Sequence, residues 1–270
     1  ITAVIEYAMM VLFFLMMAQM VILTLPRALE CCERIREVLD CQPEIRDLVS
    51  EDPKEDPDNK EVLSFRDVSF RFADAEENTL HRLNFTCRRG ETTAIIGGTG
   101  SGKSTIALLM LRFHDVTAGK ICLNGTDIRR MTQKNLRDHI GYVQQKAWLF
   151  SGTIADNLRY SRPDATDEEL MHAADVAQAG DFIRSLPDGL NSYVAQDGTN
   201  FSGGQKQRLS IARALVKKPE LYIFDDSFSA LDFKTDAALR KALASETEDA
   251  AVVIIAQRVS SIRHADQIIV

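Results

Sequence analysis

A short glycine-rich stretch, residues 97–104, has the residue types needed to hold the phosphates of a nucleotide. It reads Gly-Gly-Thr-Gly-Ser-Gly-Lys-Ser and fits the pattern G-x-x-x-x-G-K-[ST], whose glycines let backbone N–H groups close around phosphate oxygens. Lys103 would reach the β- and γ-phosphates, and the Ser104 hydroxyl would bind Mg²⁺. The predicted nucleotide-binding residues are Gly97, Gly98, Thr99, Gly100, Ser101, Gly102, Lys103, Ser104 and Thr105.

The flanks of this loop favour a nucleotide site over an ordinary glycine-rich turn. Apolar residues 93–96 predict a strand running into the loop, and residues 104–113 have the apolar spacing of a helix. A second apolar run, 221–224, predicts a strand that ends at Asp225, whose carboxylate would hold the Mg²⁺ shell. The alternative for Asp225 is an acidic turn, which the phosphate loop in the same chain disfavours.

About a hundred residues after the loop, residues 201–208 read Phe-Ser-Gly-Gly-Gln-Lys-Gln-Arg at the start of a predicted helix. Together with the phosphate loop, this run resembles the signature of ATP-binding cassette (ABC) proteins, and the resemblance extends from about Val62 to the last residue. It implies an ATPase that works as a dimer, in which each signature closes the partner's ATP site. Unpaired N–H groups and the helix dipole suit a γ-phosphate there. The signature residues are Ser202, Gly203, Gly204 and Gln205.

Two positions that the family uses for hydrolysis differ in this chain. The family places a Glu after the metal-binding Asp, to orient the attacking water and accept its proton; here that residue is Asp226. Asp is one methylene shorter, and a general base must lie within about 2.6–3.2 Å of the proton it takes. The family His that contacts the γ-phosphate is replaced by Gln257, which can donate a hydrogen bond but carries no charge. The resemblance therefore implies a degenerate ATP site.

Other family elements are recognisable along the chain. Phe72 occupies the position of an aromatic residue that stacks on adenine, although an ordinary strand core residue is a serious alternative. Gln145 matches the catalytic glutamine of the Gln-loop, which in the family contacts Mg²⁺. The adjacent Gln144 is the alternative for this role. In exporters, the segment matching 146–150 meets the coupling helices of the membrane domain, and 229–232 matches the D-loop. Residues 195–198 read Ala-Gln-Asp-Gly where exporters usually carry Gly-Glu-Arg-Gly.

Composition excludes several classes of function. A net charge of −7 over 270 residues argues against a nucleic-acid-binding surface, which needs a basic stripe. The five cysteines have no C-x-x-C spacing and no nearby histidines, so we predict free thiols in a reducing cytosol and no zinc site. The first residue is not Met and the last follows an apolar run, so we expect a fragment of a longer polypeptide.

The N-terminal region predicts a membrane span. The run from Tyr7 to Leu25 is interrupted only by Gln19 and Thr24 and is close to the ~20 residues that cross a bilayer as a helix. Arginines follow it and none precedes it, so its C-terminal side is expected in the cytoplasm. A buried core helix and a signal peptide are the alternatives. Residues 28–39 continue as a helix, and the charged, Pro-containing stretch 50–60 predicts a linker.

These observations predict an α/β fold: a P-loop NTPase, RecA-like core with an antiparallel β portion and a helical subdomain between Gln145 and Gln205, preceded by a transmembrane helix. The expected domains are 1–41 (the end of a membrane domain), 42–61 (linker) and 62–270 (nucleotide-binding domain, truncated at its C-terminus). Apolar runs such as 251–255 predict strands buried on both faces of a parallel sheet.

The resemblance implies one half of an ABC exporter that binds ATP and Mg²⁺, with a second half-transporter as its partner in a heterodimer. It would be an integral membrane protein, in contact with lipid, with its nucleotide-binding domain in the cytoplasm, as in a bacterial plasma membrane. The transported substrate, a small molecule or lipid, is open, and no nucleic acid is expected. Two alternatives remain: a regulatory subunit that binds ATP without hydrolysing it, and a soluble ABC ATPase acting on nucleic acid.

Overall fold

The computed structural model describes residues 1–47, 60–257 and 262–270, and the chain divides into two units, Ile1–Arg46 and Asp47–Val270. Most of the predicted linker lies outside the described residues. The first unit is built on a single helix, α1 (Thr2–Asp40), whose 39 residues include none that is buried. Within the described part of the chain, α1 is the one helix with the length and apolar composition to cross a membrane. Both the predicted span and its extension lie in α1.

The centre of the second unit is a parallel five-stranded sheet with strand order β11-β3-β10-β9-β6. Its strands are β3 (Thr92–Ile96), β6 (Ile140–Val143), β9 (Leu221–Asp225), β10 (Ala251–Ala256) and β11 (Gln267–Ile269). Every residue of β9 and β10 is buried, because helices or the second sheet cover both faces. The prediction of buried parallel strands is confirmed.

An antiparallel sheet with strand order β2-β1-β4-β5 packs beside this core. Its strands are β1 (Glu61–Phe70), β2 (Leu80–Arg88), β4 (Ala118–Leu123) and β5 (Thr126–Asp127). The apolar residues of β1 alternate up to Phe65 and resume one position late at Val68. The pairing register with both neighbours shifts at this place, and Asp67 takes a positive φ of 52°. A bulge therefore returns Val68 to the core face.

Helices cover the sheets and form a separate helical part between β6 and β9. The helices of the second unit are α2 (Lys103–Met110), α3 (Gln133–Asp138), α4 (Ile154–Arg159), α5 (Asp167–Val176), α6 (Gly180–Ser185), α7 (Gly203–Lys217) and α8 (Phe233–Glu246). A short strand pair, β7 (Gly152–Thr153) with β8 (Tyr193–Val194), brackets α4 to α6. These elements form the predicted helical subdomain.

The parallel sheet decides where the chemistry-bearing residues meet. Strands β3, β6, β9 and β10 all point the same way, so their carboxyl ends lie at one edge. The phosphate loop follows β3, Gln145 follows β6, Asp226 follows β9 and Gln257 follows β10. Ligands of open α/β sheets bind at this edge.

Candidate functional site

A cavity of about 380 Å³ opens at the carboxyl edge of the parallel sheet. It collects residues from five separate stretches of the chain, including many of those predicted from motifs. The lining residues are Phe72, Thr79, Thr99, Gly100, Gly102, Lys103, Ser104, Thr105, Gln145, Asp225, Asp226, Ile255 and Gln257. Of these, Thr79 and Ile255 were missed by the sequence analysis, because neither belongs to a motif.

The phosphate loop forms a cradle between β3 and α2. Gly100 and Gly102 have φ values of 83° and 87°, a region that disfavours residues with a Cβ. No atom lies within 4 Å of where a Cβ of Gly100 would be, so the loop leaves open space on this side. Helix α2 begins at Lys103 with no side chain capping its first turn. The cradle and the free N–H groups fit a phosphate.

Lys103 lies folded back over its own loop. Its Nζ donates hydrogen bonds to the carbonyl oxygens of Gly97 (2.8 Å) and Gly98 (2.6 Å). The ammonium group is therefore already held above the loop, on the side where the phosphates of a nucleotide fit. Gly97, Gly98 and Ser101 shape the loop but do not line the cavity themselves.

The Asp225 carboxylate is enclosed, with the residue 5% exposed. Ser104 Oγ donates to its Oδ1 at 3.5 Å, and the Tyr142 hydroxyl donates to its Oδ2 at 3.4 Å. Burial raises the pKa of Asp225, and the hydrogen bonds from the two hydroxyl groups oppose that shift. Burial also raises the pKa of Tyr142 to about 12, so its hydroxyl remains a donor at neutral pH. Tyr142 lies in the stretch 141–145 that matches the Gln-loop, but the sequence analysis assigned it no role.

The donor set at this edge fits a magnesium ion. Ser104, Gln145 and Asp225 offer hydroxyl, amide and carboxylate oxygens in one cavity, and hard divalent cations prefer oxygen ligands. Of the two adjacent glutamines, only Gln145 lines this cavity. The carbonyl of Gln144 accepts a hydrogen bond from Gln207 Nε2 (3.3 Å) instead.

The two residues that differ from the ABC pattern also lie in the cavity. Asp226 has a positive φ of 46°, and its N–H donates to the carbonyl of Ile255 (2.8 Å). Its Oδ2 accepts a hydrogen bond from Gln145 Nε2 (3.1 Å). Gln257 faces the same cavity from the end of β10. The Asp226 carboxylate is thus hydrogen-bonded to the Gln145 side chain.

Phe72 lines the cavity and also packs in an aromatic cluster. Its ring meets Phe70 edge-on at 4.8 Å and His114 edge-on at 5.5 Å. The half-buried ring therefore serves local packing and borders the cavity at the same time. The two interpretations of Phe72 are compatible.

The signature lies apart from the cavity of its own chain. Ser202 caps α7: its Oγ accepts from the N–H of Gln205 (3.3 Å), and Gln205 Oε1 accepts from the N–H of Ser202 (2.9 Å). Gly203 has open space where a Cβ would be, and a Cβ at Gly204 would come within 3.6 Å of the Ala230 carbonyl. None of the four signature residues lines the cavity.

A second cavity, of about 580 Å³, lies beside the segment that follows Gln145. Trp148, Phe150 and Tyr160 form an aromatic part of its lining, and the Trp148 indole N–H donates to Asp197. Arg213 donates to the Trp148 carbonyl (3.0 Å), and burial lowers the pKa of Arg213. Asp197, in the stretch that differs from the exporter pattern, thus accepts a hydrogen bond from the exposed Trp148.

Comparisons with known proteins agree with this geometry. A sequence profile described as "ABC transporter" matches residues 80–229. An uncharacterized ABC transporter ATP-binding protein of Mycobacterium tuberculosis is 43% identical over 272 residues, which cover 99% of this chain and 46% of that protein. A Bacillus subtilis protein, provisionally named a multidrug export ATP-binding/permease protein, is 43% identical over 208 residues, 77% of this chain and 36% of that protein.

A solved structure of a bacterial Atm1-family ABC exporter with ATP bound superposes with a TM-score of 0.82 at 35% identity. The match covers 90% of this chain and 42% of that one. The chain spans less than half the length of these relatives. Because the family profile covers more than half of the 270 residues, the chain belongs to the ABC transporter family.

Proposed function

We propose that this chain is the ATP-binding and ATP-hydrolysing half of an ABC exporter, in which closure of a nucleotide-bound dimer drives export of a substrate. The observation that carries the proposal is the cavity at the carboxyl edge of the parallel sheet. It brings Lys103, Ser104 and Asp225 together although Asp225 lies more than a hundred residues away in sequence. A cation, a hydroxyl and a carboxylate around an N–H cradle are what Mg·ATP requires.

Each residue then has a defined task. Backbone N–H groups of residues 98–104 surround the β-phosphate, and Lys103 exchanges its loop carbonyls for the β- and γ-phosphates. Ser104, Gln145 and Asp225 would hold Mg²⁺ and its water shell. Bound there, the metal would neutralise negative charge that develops during phosphoryl transfer. Phe72, which lines the same cavity, would stack on the base.

The site in this chain is proposed to hydrolyse ATP slowly. Asp226 must accept a proton from the attacking water, but its short carboxylate is bonded to Gln145 and its main chain is fixed to Ile255. Gln257, in place of a histidine, gives the γ-phosphate no cationic partner. Both differences affect hydrolysis and leave the phosphate cradle unchanged.

The intact signature supports a heterodimer. Ser202, Gly203 and Gly204 lie away from their own cavity, at the N-terminus of a 15-residue helix. They would face the ATP of a second ABC half-transporter and complete a competent site there. This chain would thus have a slow site of its own and contribute to a fast one.

Helix α1 supports a location in the membrane, with the nucleotide-binding domain in the cytoplasm. Its residues are exposed throughout, and an 18-residue window has a mean hydropathy of 2.4. The cavity beside Trp148 would receive the coupling helices of the membrane domain. The name of the B. subtilis relative points to multidrug export, so we propose small drug molecules as the substrate, with lipid as the competing class. The net charge of −7 argues against a nucleic-acid partner.

A second candidate is a regulatory subunit that binds ATP without hydrolysing it. The bond between Gln145 and Asp226 favours it, because it occupies the carboxylate that would accept the proton. Single-turnover hydrolysis separates the two functions. With the partner half-transporter inactivated at its own catalytic carboxylate, the complex should still convert bound ATP to ADP slowly. The absence of any ADP above the uncatalysed rate would establish the regulatory role.

A further inference from the structure

The Asp225 carboxylate is held by two hydroxyl groups from different elements. Ser104, in the first turn of α2, contacts Oδ1, and Tyr142, in β6, contacts Oδ2. Ser104 belongs to the phosphate loop and has a role there. Tyr142 lies in the stretch 141–145 that matches the Gln-loop, but the resemblance assigns a role there to the glutamine and none to the tyrosine. The proposed function gives Tyr142 no task either.

The position of Tyr142 is fixed by the core. Strand β6 pairs with β9 in parallel, so Tyr142 lies opposite Ile223, two residues before Asp225. Its ring packs against the hydrophobic cluster that joins the parallel and antiparallel sheets. The ring is half-buried and also borders the cavity beside Trp148. The Tyr142 hydroxyl and the Ser104 hydroxyl thus contact different oxygens of the Asp225 carboxylate.

We propose that Tyr142 is a positioning residue for the magnesium site: its hydroxyl holds Oδ2 of Asp225 so that Oδ1 points towards the metal and Ser104. This inference rests on the proposed role of Asp225 in binding Mg²⁺. Groups that hydrogen-bond a metal-binding carboxylate fix its orientation, and their loss commonly weakens metal binding about 10- to 100-fold. The 3.4 Å contact is long, so the expected loss is at the lower end of this range.

The same short segment also reaches the neighbouring carboxylate. Gln145, three residues after Tyr142, donates to Asp226. Residues 142–145 thus contact both consecutive carboxylates, Asp225 through Tyr142 and Asp226 through Gln145. A change at Tyr142 is expected to alter the metal affinity while leaving the phosphate loop, and hence metal-free ATP binding, intact.

The test measures metal binding directly in the complete protein in detergent. Mn²⁺ replaces Mg²⁺, and the non-hydrolysable analogue β,γ-imido-ATP replaces ATP. Electron paramagnetic resonance gives the Mn²⁺ affinity of the protein–nucleotide complex, and calorimetry in EDTA gives the metal-free affinity for the analogue. Tyr142→Phe removes only the hydroxyl. Tyr222→Phe is the matched control, because Tyr222 is a buried tyrosine on the neighbouring strand whose ring stacks near Phe224 on the other face.

Tyr142→Phe should weaken Mn²⁺ binding about tenfold and leave the metal-free affinity and the unfolding temperature close to those of the unchanged protein. Tyr222→Phe should leave Mn²⁺ binding unchanged. Equal Mn²⁺ affinity in Tyr142→Phe and the unchanged protein would overturn the inference, as would equal losses in both tyrosine variants. Asp225→Asn is the third arm: if it does not weaken Mn²⁺ binding, the proposed metal site itself is wrong, whatever Tyr142→Phe does.

Discussion

Gln145 Nε2 lies 3.1 Å from Oδ2 of Asp226, so two residues assigned to separate steps of ATP hydrolysis are bonded to each other. Gln145 donates this hydrogen bond through its amide nitrogen, which leaves the amide oxygen available to a magnesium ion. One side chain can therefore contact the metal and the Asp226 carboxylate at the same time. The strands that precede the two residues, β6 and β9, are adjacent in the sheet.

Lys103→Ala should weaken ATP binding about 10- to 100-fold, because a hydrogen bond to a charged group contributes about 1.5–3 kcal/mol. Calorimetry with Mg·ATP measures the change. Lys120→Ala, at an exposed lysine of β4, is the control and should bind ATP as the unchanged protein does. Equal affinities in the two variants would remove Lys103 from the phosphate site.

Gly203→Asp should lower the ATPase rate of the assembled transporter about 100-fold or more, because it places a negative charge among the donors that face the partner's γ-phosphate. The open space at Gly203 means that the variant has room to fold. Asp226→Asn should reduce turnover far less, since the site that it affects is the one proposed to be slow. The steady-state ATPase rate of the two complexes measures the difference.

Ser202→Arg tests the same role but also removes the cap of α7, a loss of about 1 kcal/mol. Thr166→Arg provides a control, since Thr166 caps α5 through the same capping box but lies outside the signature. Only Ser202→Arg should abolish turnover. A greater loss in Asp226→Asn than in the signature variants would refute the heterodimer proposal.

Motifs made of neighbouring residues were predictable, because their chemistry is local. The phosphate loop, with its strand and helix, lies within about twenty residues, and Asp225 ends an apolar run. The contacts of Tyr142 and Gln145 with the two aspartates depend instead on β6 lying beside β9, some eighty residues apart. Spacing along the chain does not contain that pairing. The Trp148–Asp197 contact also joins distant parts of the chain, 49 residues apart, with helices between them.

The bulge in β1 was present in the spacing of its apolar residues but could not be interpreted from the sequence alone. Apolar residues at 63, 65, 68 and 70 break a period of two at one place. A turn or a change of face explains that break as well as a bulge does. The partner strands β2 and β4, whose registers both shift there, decide between these possibilities.

The stability of the domain should depend on pH through His139 and Glu220, at the opposite edge of the sheet. Their side chains lie 3.2 Å apart, and Asn124 also donates to Glu220 (2.6 Å). The hydrogen bond with Glu220 raises the pKa of His139, and the bond from His139 lowers the pKa of Glu220 to about 2. The His139 contribution is complete below about pH 6.5 and is lost as the pH rises through its raised pKa. The Glu220 contribution is present above about pH 4.5 and is lost as the pH falls towards 2.

His139→Gln should therefore lower the unfolding temperature most between about pH 4.5 and 6.5, by roughly 2–4 °C, and less at pH 8. Thermal unfolding of the complete protein at several pH values measures this. His172→Gln is the control, because His172 is exposed and also pairs with a glutamate, Glu246 (3.0 Å). A pH-independent effect of His139→Gln would mean that the pair contributes only through packing.

Residues 226 and 257 are expected to limit hydrolysis in this chain's own site. Asp226→Glu adds the methylene that extends the carboxylate towards the attacking water, and Gln257→His adds a side chain that can carry a positive charge. General-base catalysis contributes about 10²–10⁴-fold, so the double variant should exceed the slow background measurably. The φ of 46° at residue 226 opposes a full recovery, because Asp tolerates the left-handed region better than Glu does.

The recovery should also depend on the partner. In the proposed heterodimer, the partner's signature supplies donors to the γ-phosphate, so a damaged partner signature would limit the double variant to a partial gain. Repairing that signature as well should give a fuller gain, and the single variants should rank below the double variant. Single-turnover hydrolysis, with the other ATP site inactivated, measures each combination. If ATP binds and none of these proteins hydrolyses it faster, the slow step lies elsewhere, and the two side chains do not limit the rate.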